Sequence, residues 1–326
     1  MNIDLFKKLF EEDCISEESF EKIKNTSHQP LFSLHWELKT LLYLGVVLLS
    51  TGLGILIYKN IDTIGHQVIL LIIAAISAGC FFYCFKHKKP FSKELIKSPN
   101  SFFDYILLLA CLSFLSFVGY LQFQYAVFGT NYGMATFIPM LVLFYIAYEF
   151  DHLGILAMGI TNLAIWMGVS VTPKQLLLNT DFNSQTVIFT YIFLGLLLLL
   201  AAYLSTHFSF KRHFRFTYQH FGVHLSFISL LAGYFFYFDS GVSFLFMLTL
   251  FALAYYIYTD SFKHNSFYFL LLVVLYTYIA ISSLVLRALF SIKDDASITL
   301  SFMYFIASAI GIIFLLINLN KKIKTA

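Results

Sequence analysis

The sequence predicts an all-α fold, a polytopic transmembrane helical bundle of about ten spans with a short N-terminal cytoplasmic helical hairpin. Three observations support this prediction. Charged residues make up only 12% of the chain, against roughly 25% in a typical soluble domain, and apolar residues make up 59%. Apolar runs recur, each near the length of about 20 residues that a helix needs to cross hydrocarbon. Lysine and arginine gather in alternate loops between these runs.

The hairpin is predicted within residues 1–38. Apolar residues at positions 5, 6, 9 and 10 have the spacing of one helix. Ser16 begins a second helix, because its side chain can accept hydrogen bonds from the free amides of the first turn, where Glu17 and Glu18 favour the helix dipole. No early apolar segment precedes the hairpin, so no cleavable signal peptide is predicted. We expect residues 1–38 to form one domain and residues 39–326 the membrane bundle.

Each apolar run is assigned one membrane span. The boundary between the fourth and fifth spans depends on only two residues, Asp151 and His152. The predicted spans are 40–58, 67–85, 102–121, 133–150, 153–171, 187–205, 222–238, 242–259, 267–288 and 298–318.

The distribution of basic residues predicts the topology. With ten spans, 17 of the 21 lysines and arginines lie on the side of the N-terminus and four lie on the opposite side. Because basic loops stay in the cytoplasm, both termini are predicted to be cytoplasmic, in a multi-pass protein of the cell's inner (plasma) membrane. The net charge is only +3 and no basic stripe with interleaved aromatics is present, which excludes nucleic acid as a partner.

Several segments resemble a known family in their order along the chain. They are Ile15-Ser16-Glu17-Glu18, the first span "YLGVVLLSTGLGILIY", the following "KNIDTIG" and, after the third span, "YLQFQYAVFG". Over about the first 170 residues the chain resembles the bacterial membrane-protein family catalogued as domain of unknown function 2157. Ile61 stands where members commonly have Trp. The resemblance implies a polytopic helical fold and a membrane location, and it implies no activity.

Four polar residues are predicted near the outer ends of the first and third spans: Asn60, Asp62, Gln122 and Gln124. An amide buried in hydrocarbon costs several kcal/mol unless it is paired, so these side chains should face another helix or water. One interpretation is hydrogen bonding between helices beside a belt of tyrosines. The other is an outward-facing polar notch that binds a small solute.

A second polar group is predicted near the cytoplasmic ends of the spans. His220 and His224 lie one helical turn apart, so both rings could bind one metal ion if a carboxylate came from elsewhere in the fold. The alternative is that these side chains lie at the interface and pair with loop lysines. The group comprises Asp104, Glu149, Asp151, His152, His207, His213, His220 and His224.

Asn162 and His224 are predicted to be polar residues inside the membrane, where an ionisable group is a functional hypothesis by default. Asn162 is interpreted as a packing residue between helices. The sequence contains no phosphate-binding loop, dinucleotide fingerprint or nucleophile elbow, and no cofactor is predicted.

Three function classes follow. The first is an integral membrane protein that binds or moves a small or lipidic solute through the outer polar notch. The second is a membrane-anchored interaction protein, in which residues 1–30 recruit a cytoplasmic protein partner. The third is a membrane-embedded metal-dependent enzyme that uses the cytoplasmic histidines and carboxylates. In each class the bilayer is a partner.

Overall fold

Helices form all the regular secondary structure in the described part of the chain. The computed structural model describes residues 6, 9–12, 14–28, 34–129, 132–171, 184–291 and 296–325. Within these ranges there are eleven α-helices and one short 3-10 helix, and no strand. The α-helices are α1 (Glu17–His28), α2 (Leu34–Ile64), α3 (His66–His87), α4 (Ser101–Tyr125), α5 (Tyr132–Phe150), α6 (Leu153–Val171), α7 (Gln185–His207), α8 (Arg215–Phe236), α9 (Val242–Lys263), α10 (Phe267–Ser291) and α11 (Ala296–Thr325).

The predicted fold class is confirmed, and the ten predicted spans correspond to the helices α2 to α11. Nine of them lie entirely within their helix, and the seventh, 222–238, extends two residues beyond the end of α8 at Phe236. Seven of these helices are long and apolar enough to cross a membrane by length and composition, namely α3, α4, α5, α7, α9, α10 and α11. The apolar stretches of α2 and α6 are shorter, Thr40–Leu49 and Leu153–Gly168. The number of spans is therefore approximate, while the polytopic character is clear.

The chain divides into two compact units, residues 1–69 and 70–326. In the first unit, the backbone amide of Ser19 donates to Ser16 Oγ over 3.3 Å, so Ser16 caps α1. The rings of Phe10 and Phe20 stack with centroids 5.0 Å apart, which joins α1 to the helical residues before it. The domain boundary between residues 38 and 39 stays a prediction.

Helix α8 lies at the centre of the second unit, where it packs against α6, α7, α9 and α10. It begins seven residues before the predicted seventh span and carries Arg215, Gln219, His220 and His224 in its first three turns. These residues make it too polar for a lipid-facing span. Because protein surrounds it on several sides, its polar groups face other helices instead of hydrocarbon.

Two glycines bring α7 and α8 into close contact. A Cβ atom added at Gly195 would lie 2.8 Å from the backbone nitrogen of Ser226, and one at Gly222 would lie 3.0 Å from the backbone nitrogen of Leu199. The first distance is shorter than real Cβ contacts allow and the second is tighter than most of them, so a Cβ at either position would push the two helices apart. Small residues commonly permit such close approach between membrane helices.

The predicted break between the fourth and fifth spans is confirmed. Helix α5 ends at Phe150 and α6 begins at Leu153. Asp151 has a φ of +59°, a left-handed conformation that Asp tolerates better than most residues. Two residues are therefore enough to reverse the chain, and α5 and α6 pack directly against each other.

The exterior of the second unit is apolar. Phe82, Phe123 and Phe314 are 72%, 86% and 69% exposed, respectively, and many other large apolar side chains are also exposed. A water-soluble protein rarely exposes so much continuous apolar surface. Such an exterior is suited to contact with the hydrocarbon chains of a lipid bilayer.

Candidate functional site

Four loops lie together at one end of the 70–326 unit, which we call the basic end. They are residues 88–100, 151–152, 208–214 and 264–266. The backbone amide of Lys211 donates to the carbonyl of Lys93 over 2.9 Å, and that of Ile96 donates to Asp151 Oδ2 over 2.6 Å. Arg215, which follows the third loop, contacts Asp260 next to the fourth. The structure thus groups the loops that the sequence predicts on one side of the membrane.

Asp151 holds a buried ion pair at the basic end. Its side chain is fully buried, as is that of Lys211, and Lys211 Nζ lies 3.2 Å from Asp151 Oδ1. His213 Nε2 lies 2.5 Å from the same oxygen. Lys211 Nζ also lies 4.8 Å from the centroid of the Phe91 ring. A buried ammonium needs such a partner, because desolvating it alone costs several kcal/mol.

Arg215 and Asp260 form a second charged centre, between α8 and the end of α9. Arg215 Nη2 donates to Asp260 Oδ2 over 2.6 Å, and Gln219 Nε2 donates to the same oxygen over 2.8 Å. His264 Nδ1 lies 3.1 Å from Arg215 Nη2. The carboxylate therefore receives donors from two consecutive turns of α8, which fixes the position of the guanidinium.

Two cavities adjoin this charged centre. The first, of about 390 Å³, is lined by α7, α8 and α9, and the second, of about 370 Å³, by the 3-10 helix, α8, the end of α9 and the start of α10. Arg215, Gln219, Asp260 and His264 line both. The lining of the first cavity also includes the polar residues His207 and Lys263 and an apolar set, Leu199, Ala202, Tyr203, Tyr256 and Ile257.

The other predicted carboxylates of the basic end also have partners. Lys88 Nζ donates to Glu149, and this hydrogen bond raises the pKa of Lys88 above its ordinary value. Ser98 Oγ donates to Asp104 over 2.5 Å. His152 Nδ1 accepts from the backbone amide of Ile155 over 3.2 Å, at the first turn of α6. Glu149 is thus paired with a lysine and Asp104 with a hydroxyl group, whereas Arg212 and Lys263 form no ion pair with any carboxylate in the described ranges.

His220 and His224 lie side by side, as their spacing predicts, with ring centroids 4.7 Å apart. Their partners are tyrosines of α10. His220 Nδ1 lies 2.6 Å from Tyr268 Oη, and His224 Nδ1 lies 2.7 Å from Tyr276 Oη. Among the residues that the structure describes, no three His, Cys, Asp or Glu side chains form a group that could hold a metal ion. The geometry therefore favours hydrogen bonding at these two rings.

Gln122 closes a turn at the end of α4. Its Nε2 donates to the carbonyl of Gly129 over 2.9 Å, and its Oε1 accepts from the backbone amide of Phe128 over 3.0 Å. Its side chain is buried, while Gln124 is exposed. These contacts give Gln122 a local structural role, since it satisfies the backbone of residues 126–129.

The other predicted polar residues are on α2 and α6. Asn60 and Asp62 are in the last turns of α2, and their side chains fall outside the described part of the structure. Asn162 is half-buried in the middle of α6. The outer polar notch stays a prediction, and neither Gln122 nor Asn162 lines the two cavities of the basic end.

The comparison with protein families agrees with the resemblance seen in the sequence. Residues 7–156 match the model of a family described as predicted membrane protein (DUF2157). These residues are a DUF2157 region. The protein is an integral membrane protein that contacts the lipid bilayer. No curated protein and no solved structure matches the chain.

The DUF2157 region supplies only part of the basic end. Glu149 and Asp151 lie within it, whereas Arg215, Gln219 and Asp260 lie beyond it. Sequence reasoning counted Arg215 only for topology and missed Gln219 and Asp260 as site residues. An arginine and a glutamine one turn apart at the start of an apolar helix could have indicated a polar site. They could not have indicated that their shared partner is Asp260 on α9.

Proposed function

We propose that the protein lies in the inner membrane with its basic end and both termini in the cytoplasm. The described lysines and arginines of residues 70–326 gather at the basic end, apart from Arg287, and such residues favour the cytoplasmic side. Near the C-terminus, Leu319 and Ile323 of α11 pack against Leu270, which lies in the first turn of α10. This contact brings the end of the chain to the same end of the bundle.

We propose that its function is to bind an anionic amphiphile, a molecule with a phosphate-like head and an apolar tail, in the first cavity of the basic end. The observation that supports this function is the mixed lining of the cavity. Arg215, Lys263, His207 and His264 provide hydrogen-bond donors, and side chains of α7 and α9 provide apolar surface. Its volume of about 390 Å³ lies within the range of small-molecule sites, about 300–1,000 Å³.

The charge of the cavity favours an anion. Asp260 is its only carboxylate in the described residues, and Arg215 neutralises it at 2.6 Å. Lys263 then adds a positive charge that no carboxylate of the described residues pairs with, and the His207 and His264 rings add hydrogen-bonding nitrogens. A guanidinium already fixed in position binds phosphate oxygens at a smaller entropic cost than a free one.

The position of the cavity favours a lipidic ligand over a free ion. Tyr203 and Tyr256 line it and are 55% and 49% exposed, as is typical of tyrosines at the headgroup level. Basic pockets between membrane helices on the cytoplasmic side commonly hold anionic headgroups. The apolar side chains of Leu199 and Ile257 would then contact the acyl chain of the lipid.

Lipid binding to the purified protein in nanodiscs tests this function. We expect phosphatidylglycerol to bind more tightly than phosphatidylcholine, and Lys263→Ala to weaken phosphatidylglycerol binding about fivefold, because a lysine near anionic headgroups contributes about 1 kcal/mol. The matched control is Lys93→Ala, which removes an exposed lysine of the basic end that does not line the cavity. Equal losses in both variants would contradict a specific site.

Inorganic phosphate separates the two sources of the anion. If millimolar phosphate displaces phosphatidylglycerol completely, the head alone is recognised and the ligand is a free anion. If the lipid stays bound, the apolar lining residues contribute to its affinity, as proposed.

The interaction function remains a second candidate for residues 1–30. The Ser16 cap and the Phe10–Phe20 stack show an ordered helical contact in this segment. We propose that it binds a cytoplasmic protein partner. Deletion of residues 1–30 should leave the membrane bundle folded and abolish capture of that partner, and loss of membrane insertion would contradict this assignment.

A further inference from the structure

A chain of four hydrogen-bonding side chains connects α8 with α10. Tyr268 Oη lies between the two histidines, 2.6 Å from His220 Nδ1 and 3.4 Å from His224 Nε2. On the far side of its ring, His224 Nδ1 lies 2.7 Å from Tyr276 Oη. The order of side chains is therefore His220, Tyr268, His224 and Tyr276, and each one lies within hydrogen-bonding distance of the next.

We propose that these four side chains form a proton relay that leads from the basic end into the bundle. Each member can both donate and accept a proton, as a relay requires. The relay does not depend on the proposed anion site, because none of its four residues lines the first cavity.

The hydrogen bonds of the chain can point in either of two directions. In one, Tyr276 donates to His224 Nδ1, His224 Nε2–H donates to Tyr268, and Tyr268 donates to His220 Nδ1. In the other, every bond is reversed and both histidines carry their proton on Nδ1. The chain therefore couples the tautomers of the two histidines, because Tyr268 has a single hydroxyl proton and can donate it to only one of the two rings at a time.

Transfer along the chain conserves protons. A proton arriving at His220 Nε2 allows the Nδ1 proton to pass to Tyr268 Oη. The original Tyr268 hydroxyl proton passes to His224 Nε2, and the His224 Nδ1 proton passes to Tyr276 Oη. The original Tyr276 hydroxyl proton then leaves, so one proton enters and one departs.

The packing holds the members in place along the membrane normal. The rings of Phe227 and Tyr276 stack with centroids 4.9 Å apart, and Phe216 packs on Tyr268 at 5.5 Å. At 1.5 Å per residue, His220 lies about 8 Å along α8 and Tyr276 about 14 Å along α10. Both helices start at the basic end, so the chain reaches close to the middle of a hydrocarbon core about 30 Å thick.

Few charged groups adjoin the chain. At the end of α9, Asp260 binds Gln219, the neighbour of His220, and is paired with Arg215. Among the described residues, the titratable groups on the elements packed against α8 at this level include Tyr268 and Tyr276 on α10, Tyr256, Asp260, Lys263 and His264 on or just after α9, and Tyr203 and His207 on α7.

Histidine-selective ¹⁵N NMR of the protein in nanodiscs tests the relay, since nitrogen shifts distinguish the tautomers of neutral imidazole. We expect His220 and His224 to match in their ratio of Nδ1–H to Nε2–H forms, and to match in the pH values at which this ratio changes, because coupled groups titrate as a pair. Tyr268→Phe removes the bridging oxygen and should abolish both matches.

Tyr278→Phe is the matched control. It makes the same change on the same helix, where the hydroxyl contacts Ser308 on α11 at 3.0 Å, and it should preserve both matches. If Tyr268→Phe does not fold, Tyr276→Phe removes the last link and should change the tautomer ratios of both histidines together. Opposite tautomers in the unmodified protein, or matches that survive Tyr268→Phe, would overturn the relay.

Discussion

The carboxylate of Asp151 holds three parts of the basic end together. It accepts from the amide of Ile96, pairs with the buried Lys211 and contacts His213. The sequence predicts Asp151 and His213 among the polar residues of this end, but they are 62 residues apart. Composition and spacing identify residues near a membrane face, whereas only the packing of α5, α6 and α8 decides which of them meet.

Asp151→Asn tests the importance of this buried charge. Asn tolerates the left-handed backbone of residue 151 but leaves Lys211 without a buried anion. We expect a loss of about 3–5 kcal/mol in the free energy of unfolding, measured by thermal or denaturant unfolding in detergent. Adding Lys211→Met should recover part of this loss.

The matched control for this change is Glu149→Gln, two residues earlier. The Lys88–Glu149 pair is partly exposed, so its loss should cost no more than about 1 kcal/mol. Equal destabilisation by the two variants would show that burial of the Asp151–Lys211 pair does not matter.

At the scale of elements, the most polar long helix lies inside the bundle. Helix α8 carries both the charged centre and the histidines, and its close contact with α7 depends on Gly195 and Gly222. The sequence predicts a seventh span at 222–238, because the apolar run, which is the only sequence pattern that indicates a span there, begins near residue 222. Four neighbouring helices allow α8 to begin earlier with polar residues, because these find partners within the protein.

Gly195→Ala should separate α7 from α8. The new Cβ would lie 2.8 Å from the backbone nitrogen of Ser226, and relieving this overlap should cost about 1–3 kcal/mol of stability. Gly119→Ala is the comparison, because open space surrounds Gly119 in α4. There the same substitution should stabilise by about 0.5–1 kcal/mol, as alanine favours a helix. Unfolding midpoints in detergent measure both, and a stabilising Gly195→Ala would refute the close contact.

At the scale of the whole molecule, the basic loops lie at one end of the second unit and an apolar surface surrounds the helices. This arrangement agrees with a topology in which the loops with most lysines share one side. The family match over residues 7–156 agrees with a membrane protein and assigns no activity. The proposed function therefore depends on the cavity of the basic end and on the side chains that line it.

Cysteine labelling in intact cells tests the orientation. In a Cys14→Ser background, we expect Asp239→Cys, in the α8–α9 turn, to react with an impermeant maleimide from outside. Lys93→Cys, in the α3–α4 loop, should react only after the membrane is made permeable. Both residues are exposed in the structure. The reverse pattern would place the basic end outside and contradict the proposed topology.

By itself, the sequence determined the membrane class, the helical fold, the position of nearly every span and the two-residue break at Asp151. These properties depend on local composition, because hydrocarbon demands long apolar helices whatever their neighbours are. Only the tertiary structure decided that Arg215 meets Asp260, that Tyr268 bridges His220 and His224, and that Gln122 serves its own turn. The Arg215 and Tyr268 contacts join residues 44 to 48 positions apart, and helix packing, which no local pattern encodes, brings them together.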